Sequence, residues 1–411
     1  MISKYILSDI PEFMGMITSN NINNSNILKL NKIECRTANN IPFKVIRYDK
    51  NFLTSDLFSS YGLFRSVIVN NDKVVGFAPP KSLNCEHFIK KYPEITKEIV
   101  AEEFVEGTMI NVFWDQTIGL TGGWELSTRN TVGATSTFYK GTKSQTFRDM
   151  FLEAAKNNNL VLDTLEKDKC YSFVLQHPNN RIVVPFNKPQ LYIVALYSIN
   201  HNKNQIIVNS YDVQEYKHFF HDVIKTSIQF PELYKFNNYS ELVEKYGSMN
   251  TPYNIVGVIL HNKITGERTK VRNPVYEQVR HLRGNQPKLQ YQYLCLRSEG
   301  KVKDYLTYYP EHKSDFSSYR DQVHLFTDTL FSNYISCYIK KEKPLLEFSD
   351  QYRTHMFNIH QKYLHELKDK KQFVTNTVVQ KYVNSLHPSL LMYCLNYNMR
   401  VRNIDIVKTD M

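Results

Sequence analysis

Glycine is scarce in this chain, with 14 in 411 residues, about half the usual ~7%. Neither GxxxxGK[ST] nor GxGxxG occurs, which excludes a Walker or Rossmann phosphate loop. Long apolar runs are missing as well: the longest, Leu191 to Tyr197, falls far short of the ~20 residues that span a bilayer. Lys4, Asp9 and Glu12 interrupt the first turns where a secretory apolar region would lie. The six cysteines (Cys35, Cys85, Cys170, Cys295, Cys337 and Cys394) show no CxxC and no short spacing, so reduced thiols and a cytoplasmic compartment are expected rather than a disulfide or zinc framework. GxSxG and HExxH are absent too. His355, His360 and His365 recur every five residues, a step of about 140° that scatters them around a helix. His218 and His221 have no third ligand nearby in sequence. No metal site and no cofactor are expected, and no internal repeat is present.

What the chain has in excess is positive charge. Lys plus Arg is 51 and Asp plus Glu is 40, a net +11, which suggests a polyanionic partner without specifying a fold. The surplus is local. Residues 261–411 carry 24 Lys/Arg against 15 Asp/Glu, whereas the first 260 carry 27 against 25. His261 to Lys303 alone holds ten bases against three acids.

Residues 1–40, Asn-rich at 20–26, look like a loosely specified N-terminal extension. From about 41 onward short strands are expected at VIRYD, RSVIVN, KVVGFA, MINVFWD, GWELSTR, CYSFVLQ, RIVVPF, LYIVALYSI, QIIVNSY and NIVGVILHN. These are β-branched or aromatic runs bounded by Asn, Asp, Gly or Pro. A helix is expected over Lys143–Asn157, with Phe147, Met150, Phe151 and Ala154 on its apolar face. Alternation without regular βαβ spacing argues for an α+β domain of antiparallel sheets over 41–290. After about 315 the apolar period becomes helical: Phe316, Tyr319, Val323, Phe326, Leu330 and Tyr334 step by three or four. Ser314 or Asp315 is the expected N-cap of that helix and Pro344 its stop. Tyr352, Met356, Ile359, Tyr363 and Leu367 mark a second helix and Val374–Leu386 a third. An all-α C-terminal domain is therefore expected over 300–411.

Five segments in order carry a more specific signal: YGLFRSVIVNNDKVVGFAPPKS (61–82), EEFVEGTMINVFWD (102–115), CYSFVLQHPNNRIVVPF (170–186), NIVGVILHN (254–262) and TKVRNPVYEQVRHLRGN (269–285). Their order and texture resemble phage-type RNA ligases that repair nicked tRNA, members of the covalent nucleotidyltransferase superfamily. HPNNRIVVPF and KVRNPVYEQVRHLRGN match best. The resemblance covers roughly 55–290 and implies the nucleotidyltransferase (ATP-grasp-like ligase) fold with a helical C-terminal appendage. It also suggests a phage or large DNA virus as the source, and hence the host cytoplasm, a viral factory or the virion as the location.

In that family a lysine in a Lys-x-Asp-Gly segment attacks ATP, two glutamates help bind metal and nucleotide, and a Lys-x-Lys pair holds phosphates. The chemistry needs a free amine as nucleophile and oxygen ligands for Mg²⁺. Here the lysine-bearing segment aligns with Phe104-Val105-Glu106-Gly107, so Phe104 stands at the nucleophile position. The first glutamate falls on Val174, four residues before Pro178, and the second on Val256 before Gly257. An upstream Arg-Gly pair aligns with Tyr61-Gly62. Only the last motif keeps its charge, as Lys270 and Arg272. Phenylalanine forms no phosphoramidate and valine ligates no Mg²⁺, so the resemblance implies a catalytically inactive homologue in which Phe104, Val174 and Val256 point toward the old adenylate pocket and partly fill it.

Lys81, Arg129, Lys270, Arg272, Arg280 and Arg283 are the candidate phosphate-tracking cations, with Tyr276, Tyr291 and Tyr293 as stacking surfaces. RNA is expected ahead of DNA as partner, with protein partners open and no membrane. Two other readings stay open: an active RNA ligase or related nucleotidyltransferase whose nucleophile is displaced to Lys81 or Lys97, and a structural or interaction component of a viral complex.

Overall fold

A computed structural model describes residues 3–18, 29–37, 39–138, 145–202 and 205–399. The Asn-rich stretch at 20–26 lies outside them. The chain divides into two compact units, Met1–Arg280 and His281–Met411.

The first unit is built on strands β1 (Lys4–Ile6), β2 (Leu30–Arg36), β3 (Pro42–Tyr48), β4 (Val67–Asn70), β5 (Lys73–Phe77), β6 (Ile99–Glu103), β7 (Thr108–Asp115), β8 (Gly123–Ser127), β9 (Lys169–Gln176), β10 (Gln190–Asn202), β11 (Gln205–Tyr211), β12 (Leu233–Tyr234), β13 (Gly257–Asn262) and β14 (Arg268–Arg272). They form a six-stranded sheet ordered β1-β11-β10-β9-β7-β8, and two four-stranded sheets, β12-β6-β13-β14 and β2-β3-β4-β5. Every ladder between these strands is antiparallel. The α+β class read from the strand pattern is the architecture observed.

Alternation along each strand divides the core. On β9, Tyr171, Phe173 and Leu175 join Leu191, Ile193 and Leu196 beneath the helix α3 (Phe147–Asn157), which buries Met150, Phe151, Ala154 and Ala155. Cys170 on the opposite face packs with Val67, Ile68, Val69 and Phe113, against the sheet containing β4. The third sheet is covered by α2 (Cys85–Lys91) and α4 (Tyr239–Gly247): Phe88, Leu242 and Tyr246 pack on Ala101, Val258, Leu260 and Val271. Residues 3–18 and 29–37, expected as an extension, supply β1, α1 (Pro11–Thr18) and β2 to this unit, and bury Leu7, Phe13, Met16 and Leu30.

Two local expectations need correction. The helix expected from Lys143 starts at Phe147, because Thr146 and Asp149 form a reciprocal capping box: Asp149 N–H donates to Thr146 Oγ1 at 3.1 Å, and Thr146 N–H donates to Asp149 Oδ2 at 3.0 Å. Residues 143–144 lie outside those described. RIVVPF (181–186) is not a strand. Its amide donors go to a side chain instead of a ladder: Val183 N–H and Val184 N–H donate to Glu106 Oε1 at 2.6 and 3.1 Å.

A helix α5 (Pro274–Arg283) spans the boundary at Arg280, and the second unit is all-helical among the described residues. Its helices are α6 (Leu289–Ser298), α7 (Val302–Tyr308), α8 (Lys313–Tyr334), α9 (Asp350–Lys362), α10 (Asn376–Ser385) and α11 (Pro388–Leu395). The expected stripe on α8 is core: Phe316, Val323, Phe326, Leu330 and Tyr334 are buried. The residue before α8 is His312, which makes no side-chain cap, rather than Ser314 or Asp315. A wider π turn, Ile335–Ile339, continues the helix toward Pro344. The three histidines do scatter: His355 is buried between Tyr382 OH (2.9 Å) and Cys394 Sγ (3.1 Å), His360 stacks on Tyr338 with ring centroids 3.9 Å apart, and His365 meets Gln361.

Candidate functional site: a cationic recess

Strand β14 reads Arg-Thr-Lys-Val-Arg, and the two-residue period of a strand sends its cations to one side. Thr269 and Val271 are buried on one face, so Arg268, Lys270 and Arg272 share the other. The chain before α2 is laid along this strand by two bonds: Leu83 N–H donates to Arg268 O at 2.8 Å, and Arg268 Nη2 donates to Pro80 O at 2.9 Å. Lys81 N–H in turn donates to Gly62 O at 2.8 Å, which draws in the segment that carries Arg65. From the end of β8, Arg129 donates through Nη2 to Tyr48 OH at 3.3 Å and lies over that ring.

The result is a recess of ≈ 320 Å³ lined by Tyr48, Lys50, Leu53, Phe58, Arg65, Lys81, Ser82, Arg129, Lys270 and Arg272. Six of these ten side chains are cationic and none is acidic. Ser82 Oγ and Arg129 Nε are buried with no hydrogen-bond partner among the described residues. Like charges at close range disfavour one another's ionised forms, and burial adds to this. Lys270 is pushed down to about 6 by burial first, then by Arg268, Arg65, Arg272 and Lys81. Burial, Arg268 and Arg129 lower Arg65 to about 10. Lys81 is lowered by burial and then by Arg65, Arg129, Arg272 and Arg268. Glu277 relieves only the rim: it accepts from Arg272 Nη1 at 2.6 Å and pairs with Arg280 at 3.2 Å.

Beside the recess the ring of Phe104 covers two of its cations. Lys270 Nζ lies 4.4 Å from the ring centroid and the Arg272 guanidinium carbon 5.5 Å, within the ~6 Å reach of a cation–π contact. The segment after Phe104 is fixed by Glu106, whose buried carboxylate accepts from Val183 and Val184, and by Asn180 Nδ2, which donates to Thr108 Oγ1 at 2.8 Å. Gly107, at φ +146°, passes so close to β9 that an added Cβ would collide with Leu175 O and stand 2.6 Å from Val174 Cγ1. Only glycine fits there.

No family model matches the chain. An RNA ligase of Rhodothermus phage RM378 is 23% identical to it over 291 residues, covering 63% of this chain and 64% of that protein. The chain is an RNA-ligase-type homologue. It spans less than two thirds of the phage relative's length. Partial likeness also extends to solved structures of Naegleria gruberi RNA ligase. A mutant with ATP and Mn aligns over 51% of this chain and 57% of that one, at 9% identity and TM-score 0.34. An apo mutant aligns over 60% and 76%, at 10% identity and TM-score 0.32.

Within this RNA-ligase-type homologue the residues singled out from sequence separate into groups. Lys81, Arg129, Lys270 and Arg272 come together in the recess. Arg280 is exposed on α5 and held by Glu277, and Arg283 is buried in the second unit. Of the candidate stacking rings, Tyr276 and Tyr293 are core residues at 4% exposure, and Tyr291 is half-buried. Phe104 abuts the recess, whereas Val174 and Val256 are buried and are not among its lining residues. Val256 O accepts Asn273 N–H at 3.0 Å, one residue past Arg272. Lys97 is exposed and outside the recess.

Sequence reading missed Arg65 and Lys50. The signal for Arg65 lay in the first segment, where a single Arg interrupts the apolar run Gly62-Leu63-Phe64-Arg65-Ser66-Val67, three residues past the glycine of the missing Arg-Gly pair.

The divalent metal that the ligase resemblance implies does not fit these residues. The recess lining offers ammonium and guanidinium groups, which cannot ligate Mg²⁺. The aligned carboxylate positions are valines, and among the described residues no three His, Cys, Asp or Glu are grouped to hold a metal ion.

Proposed function

We propose that this RNA-ligase-type homologue is non-catalytic and retains its nucleotidyltransferase-type domain to bind RNA through phosphate. One observation carries the proposal: the recess collects Lys50, Arg65, Lys81, Arg129, Lys270 and Arg272 with no carboxylate in its lining, while the nucleophile position beside it holds the hydrocarbon ring of Phe104. Guanidinium and ammonium groups converging with only Glu277 at the rim to pair one of them suit phosphate oxygens. The two unpartnered polar atoms, Ser82 Oγ and Arg129 Nε, add donors to the same lining.

Two measurements test it. Incubation with labelled ATP and Mg²⁺ gives no covalent product, and an acid-labile labelled protein band would overturn the non-catalytic reading in favour of a displaced lysine. Titration with a single-stranded RNA gives an affinity that falls linearly with log[salt], by about 0.7 per phosphate contact. No binding at ~50 mM salt would sink the RNA reading and favour a role in protein assembly. The second unit gives that alternative a foothold, since Leu325, Leu346 and Phe373 are 69%, 80% and 74% exposed.

A further inference from the structure

Lys270 has an arrangement that phosphate binding alone does not require. Its half-buried side chain makes no hydrogen bond or ion pair among the described residues. Its Nζ faces the Phe104 ring at 4.4 Å, and after burial the charged groups that bear on it most are Arg268, Arg65, Arg272 and Lys81, all cations. An ammonium there is disfavoured by burial, repelled by four neighbours and paired with no carboxylate among the described residues. The amine is therefore mostly uncharged at neutral pH, which agrees with a pKa of about 6, and an uncharged lysine is a nucleophile. Around it, Arg65, Arg129 and Arg272 line the same recess as lasting cations, with Lys81 among them.

We infer that the recess captures a phosphorylated aldehyde as an imine on Lys270, the cations seating the phosphate and the amine taking the carbonyl carbon. The inference rests on the phosphate-binding reading of the same recess. The amine lone pair attacks the carbonyl carbon, and a proton passes through solvent from nitrogen to the carbonyl oxygen, giving a carbinolamine. Its hydroxyl then leaves with the second nitrogen proton as water, and the C=N bond remains. No oxidant, reductant or metal enters the balance. Two sources present this chemistry: a small sugar phosphate, and an abasic position in a nucleic-acid strand, whose ring-opened sugar carries an aldehyde between two phosphates.

The full-length protein is treated with pyridoxal 5′-phosphate, reduced with borohydride and mapped by peptide mass spectrometry. One equivalent is expected on Lys270, with pyridoxal lacking the phosphate reacting at least ~10-fold more slowly, and with excess tripolyphosphate protecting. Lys270→Met abolishes the adduct. Lys270→Arg, which keeps a cation in the recess, loses the adduct but still binds tripolyphosphate by calorimetry. An adduct spread over surface lysines, or one unchanged in Lys270→Met, overturns the inference. Tripolyphosphate binding without any trapped Lys270 overturns the imine alone, whereas no tripolyphosphate binding removes the phosphate reading as well. Glyceraldehyde 3-phosphate and an abasic RNA oligonucleotide then replace the probe. Trapping of either one at Lys270 identifies the source, and trapping of neither overturns the inference.

Discussion

Replacing Lys270 by methionine should stabilise the protein, and the gain should shrink as pH rises. An ordinary lysine titrates near 10.4, and each tenfold change in proton affinity is worth about 1.36 kcal/mol. In the recess Lys270 sits near 6. Between those values the unfolded chain holds a proton that the native protein has released, so the unfolded state binds more protons and stability rises with pH. Folding at pH 7 therefore works against a deprotonation worth up to about 4.6 kcal/mol. Lys270 is only half-buried, and access of water and counter-ions reduces that to about 1–3 kcal/mol. Methionine carries no proton, fills a similar volume and keeps a contact with the Phe104 ring. Urea unfolding in chloride buffer, free of phosphate and sulfate that would occupy the recess, should show Lys270→Met more stable than the native sequence at pH 7. The gap should narrow by about 1–2 kcal/mol by pH 9. Lys97→Met, on the exposed lysine outside the recess, is the control and should show no such trend. A gap that is absent at pH 7, or the same at pH 7 and pH 9, would refute the claim that the neighbouring cations hold Lys270 deprotonated.

Four further outcomes are expected. Phe104→Lys puts an amine where the resemblance aligns the nucleophile but yields no labelled protein with ATP and Mg²⁺, because Val174 and Val256, aligned with the two glutamates, supply no carboxylate. Glu106→Gln weakens the charge-assisted bonds from Val183 and Val184 N–H and lowers the free energy of urea unfolding by about 1.5–3 kcal/mol. Lys81→Gln combined with Arg129→Gln lowers RNA affinity and reduces the slope of log K against log[salt] by about 1.4, two contacts at ~0.7 each; an unchanged slope places the RNA elsewhere. Chelation of divalent cations with EDTA leaves RNA affinity unchanged at constant ionic strength, since the recess lining holds no acidic side chain for a metal to bridge.

Much of the fold was legible because it depends on local pattern. The runs from MINVFWD to NIVGVILHN are strands, apart from RIVVPF, and the Phe316–Tyr334 stripe is a buried helix face. RIVVPF failed because its composition is that of a strand while its amide donors are taken by one carboxylate, Glu106, from a segment about 77 residues earlier. Composition cannot report a partner that distant. The short strands β1, β6, β12 and β14 escaped for a related reason: each is two to five residues long and is specified by the strand beside it rather than by its own sequence. At the site, Lys270 and Arg272 were legible because they fall on the Lys-x-Lys pair of the ligase resemblance. Arg65 was not, because its place depends on Lys81 N–H reaching Gly62 O and on Leu83 N–H reaching Arg268 O. Tyr276 and Tyr293 were misread as surface rings because an aromatic beside basic residues looks the same in sequence whether it faces water or core.

Taken singly, each altered motif position is only a lost function, yet the recess explains why the losses belong together. A site that binds phosphate through a divalent ion needs carboxylates to hold that ion, and those carboxylates repel phosphate whenever the ion is absent. A recess whose lining holds no carboxylate has neither a holder for that ion nor that repulsion, and its cations face one another. Lys270 shows the consequence in its lowered proton affinity, and Ser82 Oγ and Arg129 Nε are buried without hydrogen-bond partners among the described residues. Phe104 suits such a site better than a lysine would: an aliphatic ammonium there would deepen the repulsion, whereas the negative face of an aromatic ring favours the Arg272 guanidinium by about 0.5–2 kcal/mol. A recess lined in this way offers no carboxylate to a metal ion and suits a bound anion.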